Sequence, residues 1–119
     1  MKELIDLLSS INFDVLNIDE LLDSRDSIIF DSEWIRVYKA IEALKSENNY
    51  SQSEKTKNFN IRETVFKIIY NLTNDSDLAG YISDDFGLIF DAELLGYKDA
   101  WLTKFISCYK NKSIPCGIL

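Results

Sequence analysis

The chain contains no histidine, a single proline, four glycines and two cysteines in 119 residues. Each scarcity removes a class of explanation. Without histidine there is no His-based triad, no E-x-x-H metal pair and no ordinary zinc site, and the two thiols, Cys108 and Cys116, form no C-x-x-C. Two cysteines are also too few for a disulfide framework, so they read as thiols of no special role. The shortage of proline and glycine leaves long stretches without breakers, which favours helices. No apolar run approaches the ~18 residues of a membrane span. The opening MKELIDLLSSINF is interrupted by Glu3 and Asp6, so it does not read as a secretory signal, and the cytosol is the expected location. G-x-S-x-G, P-loop and G-x-G-x-x-G motifs are all missing, and with them any signature of an enzyme.

Bases are missing from one whole segment. Between Asp75 and Tyr97 there are six acids and no base. From Met1 to Trp34 nine acids face two bases, a balance of −7, while residues 35–74 and 98–119 each carry +3. The net charge is −7 and the pI about 4.5. Such blocking speaks of partners rather than of fold. Nucleic acid and anionic membrane are disfavoured, because both demand a basic face. A basic protein partner is favoured.

A length of 119 residues suits one domain with its own core, and 46% hydrophobic with 28% charged residues is a globular composition. Apolar residues recur at helical spacing over 2–9, and Asn17 with Glu20 makes a capping-box pattern before a short helix over 18–24. Asp31 or Ser32 is the expected cap of a helix over 32–46, carried by Trp34, Val37, Tyr38, Ile41 and Leu44. The polar, aperiodic stretch 46–59 reads as a long loop. Asn60 with Glu63 then predicts a cap for a helix ending near Asn74. A helix over 77–95 stops at Gly96, and a last one runs over 99–110 before a frayed tail, 113–119. No alternation of period two is sustained. The expectation is an all-α, single-domain bundle of five to six helices.

One constellation carries functional content. At ~100° per residue, Asp77, Asp84 and Asp91 form one stripe, with Tyr81 and Leu88 on one flank, Gly80 and Gly87 on the other, and Asp85 at the boundary with the apolar side. No base stands at i+3 or i+4 to pair with these acids. The stripe reads either as a solvated face, its glycines admitting a neighbouring helix, or as a docking face. In the docking reading Asp77, Asp84, Asp85 and Asp91 meet Lys and Arg, and Tyr81 and Leu88 act as anchors. Asp19, Glu20 and Asp23 would extend it if the two acidic blocks are adjacent. Adjacent Asp84 and Asp85 diverge on a helix and make no catalytic dyad, so a metal-dependent hydrolase is a remote alternative, and no cofactor or metal is expected.

The stretch YISDDFGLIFDAELLGYKDAWLTKFISCYKNKSIP, residues 81–115, resembles the C-terminal part of small acidic helical immunity proteins. These stand beside bacterial polymorphic toxins, including those of contact-dependent growth inhibition. I-S-D-D-F, the L-G-Y-K-D turn and the W-L pair carry the resemblance. It implies a dedicated inhibitor that binds one cognate toxin, often a basic nuclease, as a monomer in a 1:1 heterocomplex. The alternative is a general acidic helical interaction module, such as an adaptor, anti-activator or secretion chaperone.

Overall fold

The computed structural model describes all residues 1–119. Six helices and one 3-10 turn follow each other: α1 (Lys2–Leu8), the turn Phe13–Val15, α2 (Ile18–Arg25), α3 (Ile28–Glu47), α4 (Gln52–Thr73), α5 (Ser76–Leu95) and α6 (Ala100–Lys110). There is no strand, so the all-α expectation holds. No helix is long and apolar enough to cross a membrane.

Polar side chains start α2 to α6 by accepting from backbone N–H groups that have no partner within the helix. Asn17 accepts from Glu20, Asp75 from Leu78 at 2.9 Å and Asp99 from Leu102 at 2.7 Å. Two starts lie earlier than expected. Ser27 caps α3, which therefore takes in Ile28 to Asp31. Ser51 and Glu54 form a reciprocal capping box at the head of α4, so the long loop expected over 46–59 is only the link 48–51, and Asn60 lies mid-helix. The first turns of α4 are polar because they stand mostly in solvent, and Gln, Glu and Lys there are good helix formers without any apolar stripe. Asn74 in the left-handed conformation (φ 56°) turns the chain tightly from α4 into α5, and Gly96 (φ 70°) ends α5.

α5 is the central helix. Leu78, Ala79, Ile82, Ser83, Phe86, Gly87, Leu88, Ile89 and Ala92 are all buried, which covers most of its circumference. A helix apolar nearly all round belongs in the interior, and α4, α3 and α2 pack around it. Phe30, Phe86, Phe105 and Tyr109 join α3, α5 and α6 in one aromatic core, with Phe86 edge-on to Tyr109 at 4.9 Å. The tail is not frayed. Ile114 and Pro115 are buried, and the Gly117 N–H donates to the Ser24 carbonyl, so residues 113–119 close over the end of α2.

Candidate functional site: the α3–α5 groove

The acids of α5 divide into two interior groups and a surface group. Asp85 is fully buried and accepts four hydrogen bonds. Both terminal nitrogens of Arg25 donate to it at 2.6 Å, the Trp34 indole N–H at 2.9 Å, and the Tyr109 hydroxyl completes the set. Burial alone would lower the Arg25 pKa, but the Asp85 charge and hydrogen bonds overcome it and hold the guanidinium firmly cationic. Burial, then the Asp85 charge, pushes the Tyr109 phenol well above its ordinary value. The Arg25 guanidinium also lies 4.6 Å from the Phe30 ring centre and 5.5 Å from that of Tyr81.

Asp91 is the second interior acid. Lys45 Nζ stands 2.8 Å from it, the Tyr50 hydroxyl donates to it, and Lys45 also donates to Glu42 at 2.8 Å. Burial would lower the Lys45 pKa, but its bonds to Asp91 and Glu42 raise it overall. Asp85 is wholly enclosed, while Asp91 and Leu88, each 4% exposed, reach solvent only through the larger depression described below. The bases that neutralise the two acids come from α2 and α3, where no rule about neighbours on one helix could find them.

The glycines also separate. A Cβ on Gly87 would stand 2.7 Å from Arg62 Cδ, and the Asn58 amide donates to the Gly87 carbonyl at 3.1 Å. This is the close approach of a neighbouring helix. Around Gly80 nothing comes within 4 Å of such a Cβ, so no close approach explains it.

Asp77 and Asp84 are exposed, Tyr81 is half-buried, and Asp19, Glu20 and Asp23 are exposed along α2. The two acidic blocks meet at a residue not singled out from the sequence: the Tyr81 hydroxyl donates to Asp26 at 2.6 Å. That bond, with partial burial, raises the Tyr81 pKa.

Two depressions share Trp34 and Asp84 as walls. The smaller, about 180 Å³, is lined by Arg25, Asp26, Phe30, Asp31, Trp34, Tyr81 and Asp84. The larger, about 410 Å³, is lined on its other sides by Tyr38, Lys45, Asn58, Arg62, Leu88 and Asp91. Tyr38 stacks on Trp34 with ring centres 5.7 Å apart. The Asp84 carboxylate reaches solvent, yet the groove strips part of its hydration and raises its pKa; Arg62 pulls it down and Asp85 pushes it up. A carboxyl whose folded pKa is raised costs stability once pH climbs through the unfolded value of ~4. Asp84→Asn is thus expected to unfold at equal or higher denaturant concentration than the native chain at pH 7, with the difference closing near pH 3. A less stable Asn variant at pH 7 would contradict this reading of Asp84.

The sequence model of the family described as Immunity protein PIM1 matches residues 2–116. The chain belongs to that family of immunity proteins. The match spans all six helices and most of the tail, well beyond residues 81–115. No curated protein matches the chain. As an immunity protein its general function is to neutralise a toxin, and its surface groups are the ones that a toxin can meet. No three Cys, Asp or Glu side chains of this immunity protein converge to hold a metal ion. Sequence reasoning missed Arg25, Trp34, Tyr109 and Asp26. Arg25 did carry a signal, as the only base between Lys2 and Arg36 in a segment crowded with acids.

Proposed function

We propose that this PIM1 immunity protein neutralises a basic toxin domain, a nuclease of the polymorphic or contact-dependent growth-inhibition kind, by covering it with an acidic surface. The complex is 1:1 and forms in the cytosol of the toxin-producing cell. The protein acts as a stoichiometric inhibitor without chemistry of its own. The observation that carries this reading is how charge is disposed around the groove. Of the three bases lining the groove, Arg25 and Lys45 are engaged by Asp85 and Asp91, which leaves Arg62 against Asp26, Asp31 and Asp84, three acids that reach the surface without an ion-pair partner. Asp77, Asp19, Glu20 and Asp23 extend the exposed acid on both sides. A nuclease needs a positive cleft for phosphates. A surface of opposite sign steers the encounter and keeps nucleic acid out.

The test is calorimetric titration of the inactive toxin domain encoded beside this gene. One equivalent should bind, and affinity should fall about tenfold or more as salt rises from about 0.1 to 1 M, where the screening length shrinks from ~10 to ~3 Å. Binding indifferent to salt would contradict a basic partner, and no binding at all would contradict the pairing.

A further inference from the structure

The earlier start of α3 creates a surface that the sequence did not announce. At ~100° per residue, Ile28, Asp31, Ile35 and Tyr38 fall within about 80° of one another, roughly a third of a turn from the core residues Phe30, Val37 and Ile41. Ile28 is 84% exposed, Ile35 40% and Tyr38 44%. Single exposed apolar residues are ordinary, but a row along one helix face has the character of a contact surface. The row runs into the groove, because Tyr38 stacks on Trp34, and Trp34 with Asp84 separates the two depressions. Apolar and aromatic groups bordered by charge are the usual make-up of an interface centre and its rim.

We propose that the outer stripe of α3 and the adjoining groove seat the cognate toxin, taking an Arg- or Lys-bearing segment of it. Ile28, Ile35 and Tyr38 provide the apolar contact. Trp34 offers a ring face for a guanidinium or an aliphatic stem. Asp31 and Asp84 receive the charge. Charge selects this occupant. The only base lining the smaller depression, Arg25, is already bound by Asp85, so the free charge there is negative. In the larger one Lys45 is held by Asp91 and Glu42, and Arg62 donates to Asn58. The smaller depression, between Asp31 and Asp84, is therefore the seat for the incoming cation. A second copy of this chain would bring another net −7 against it. The inference rests on the immunity reading and moves the main contact from α5 and α2 to α3.

The test compares two variants, each shown to be folded, in titrations with the inactive toxin domain encoded beside this gene. One is Ile28→Ser with Ile35→Ser and Tyr38→Ala. The other is Asp19→Asn with Glu20→Gln and Asp23→Asn on α2. The α3 variant should weaken binding by at least about 30-fold at low and high salt. The α2 variant, which removes only steering charge outside the seat, should weaken it by about tenfold or less and only at low salt. Oxidative footprinting of the native complex should show Trp34 and Tyr38 protected, which reads the surface without any substitution. Tight native binding with an unaffected α3 variant and unprotected Trp34 and Tyr38 would overturn the α3 assignment and leave the immunity reading standing. No binding by the native protein would overturn both. Concentration-dependent dimers abolished by the α3 variant would overturn the assignment in favour of a second copy.

Discussion

Asp85→Ala is expected to destabilise the free protein by about 3–5 kcal/mol, the usual cost of leaving a buried charge without its partner. Three groups lose their acceptor at once: Arg25, the Trp34 indole and the Tyr109 hydroxyl. Arg25 and Tyr109 are buried, so water cannot simply replace the carboxylate. Native domains are stable by only ~5–15 kcal/mol, so the loss is a large share of the total. Urea unfolding at pH 7 should show a much lower midpoint with a similar slope. Exchanging the buried partners together for apolar groups, Arg25→Met, Asp85→Leu and Tyr109→Phe, should recover much of the loss, because a buried pair repays its desolvation only partly and no buried hydroxyl is then left unpaired. A single Asp85→Ala variant as stable as the native chain would contradict the placement of this acid in the interior.

The second large effect is on toxin binding. Asp31→Lys with Asp84→Lys reverses two charges that face the groove and reach solvent. Close charge pairs at interfaces couple by ~1.5–7 kcal/mol, and like charges placed together cost several more. Losing two pairs at even the low end corresponds to a factor of about 10² in affinity, and repulsion adds to it. The fold should tolerate the change. Neither carboxylate accepts a hydrogen bond or belongs to an ion pair within the chain, in contrast to Asp85 and Asp91. The comparison separates two ways of losing protection: Asp85→Ala fails through stability, and the double lysine variant fails as a folded protein.

Much of the helical framework was legible. Apolar spacing and capping residues announce α2, α5 and α6 to within a residue or two, because those signals are local. The first turns of α4 were not legible, since Gln52 to Lys57 pack on little and so carry no stripe. Ser51 and Glu54 held the same capping-box pattern recognised at Asn60 and Glu63, but within a polar run it looked like loop. The site was harder to read. Periodicity puts Asp77, Asp84 and Asp91 on one stripe, yet it cannot say what stands opposite. Arg25 lies 60 residues from Asp85 in sequence, so the pairing exists only once α2 has packed on α5. The absence of bases on α5 therefore marks a helix served by neighbouring helices, as well as an acidic surface at Asp77 and Asp84. Ile28 and Ile35 form a surface row only because α3, capped by Ser27, begins at Ile28.

The most direct test of the central claim is survival of cells expressing the active toxin together with either the native protein or the Asp31→Lys, Asp84→Lys variant, at matched abundance. The native protein should protect. The variant, equally folded by circular dichroism, should not. Full protection by the charge-reversed variant would contradict neutralisation through the acidic α3–α5 surface.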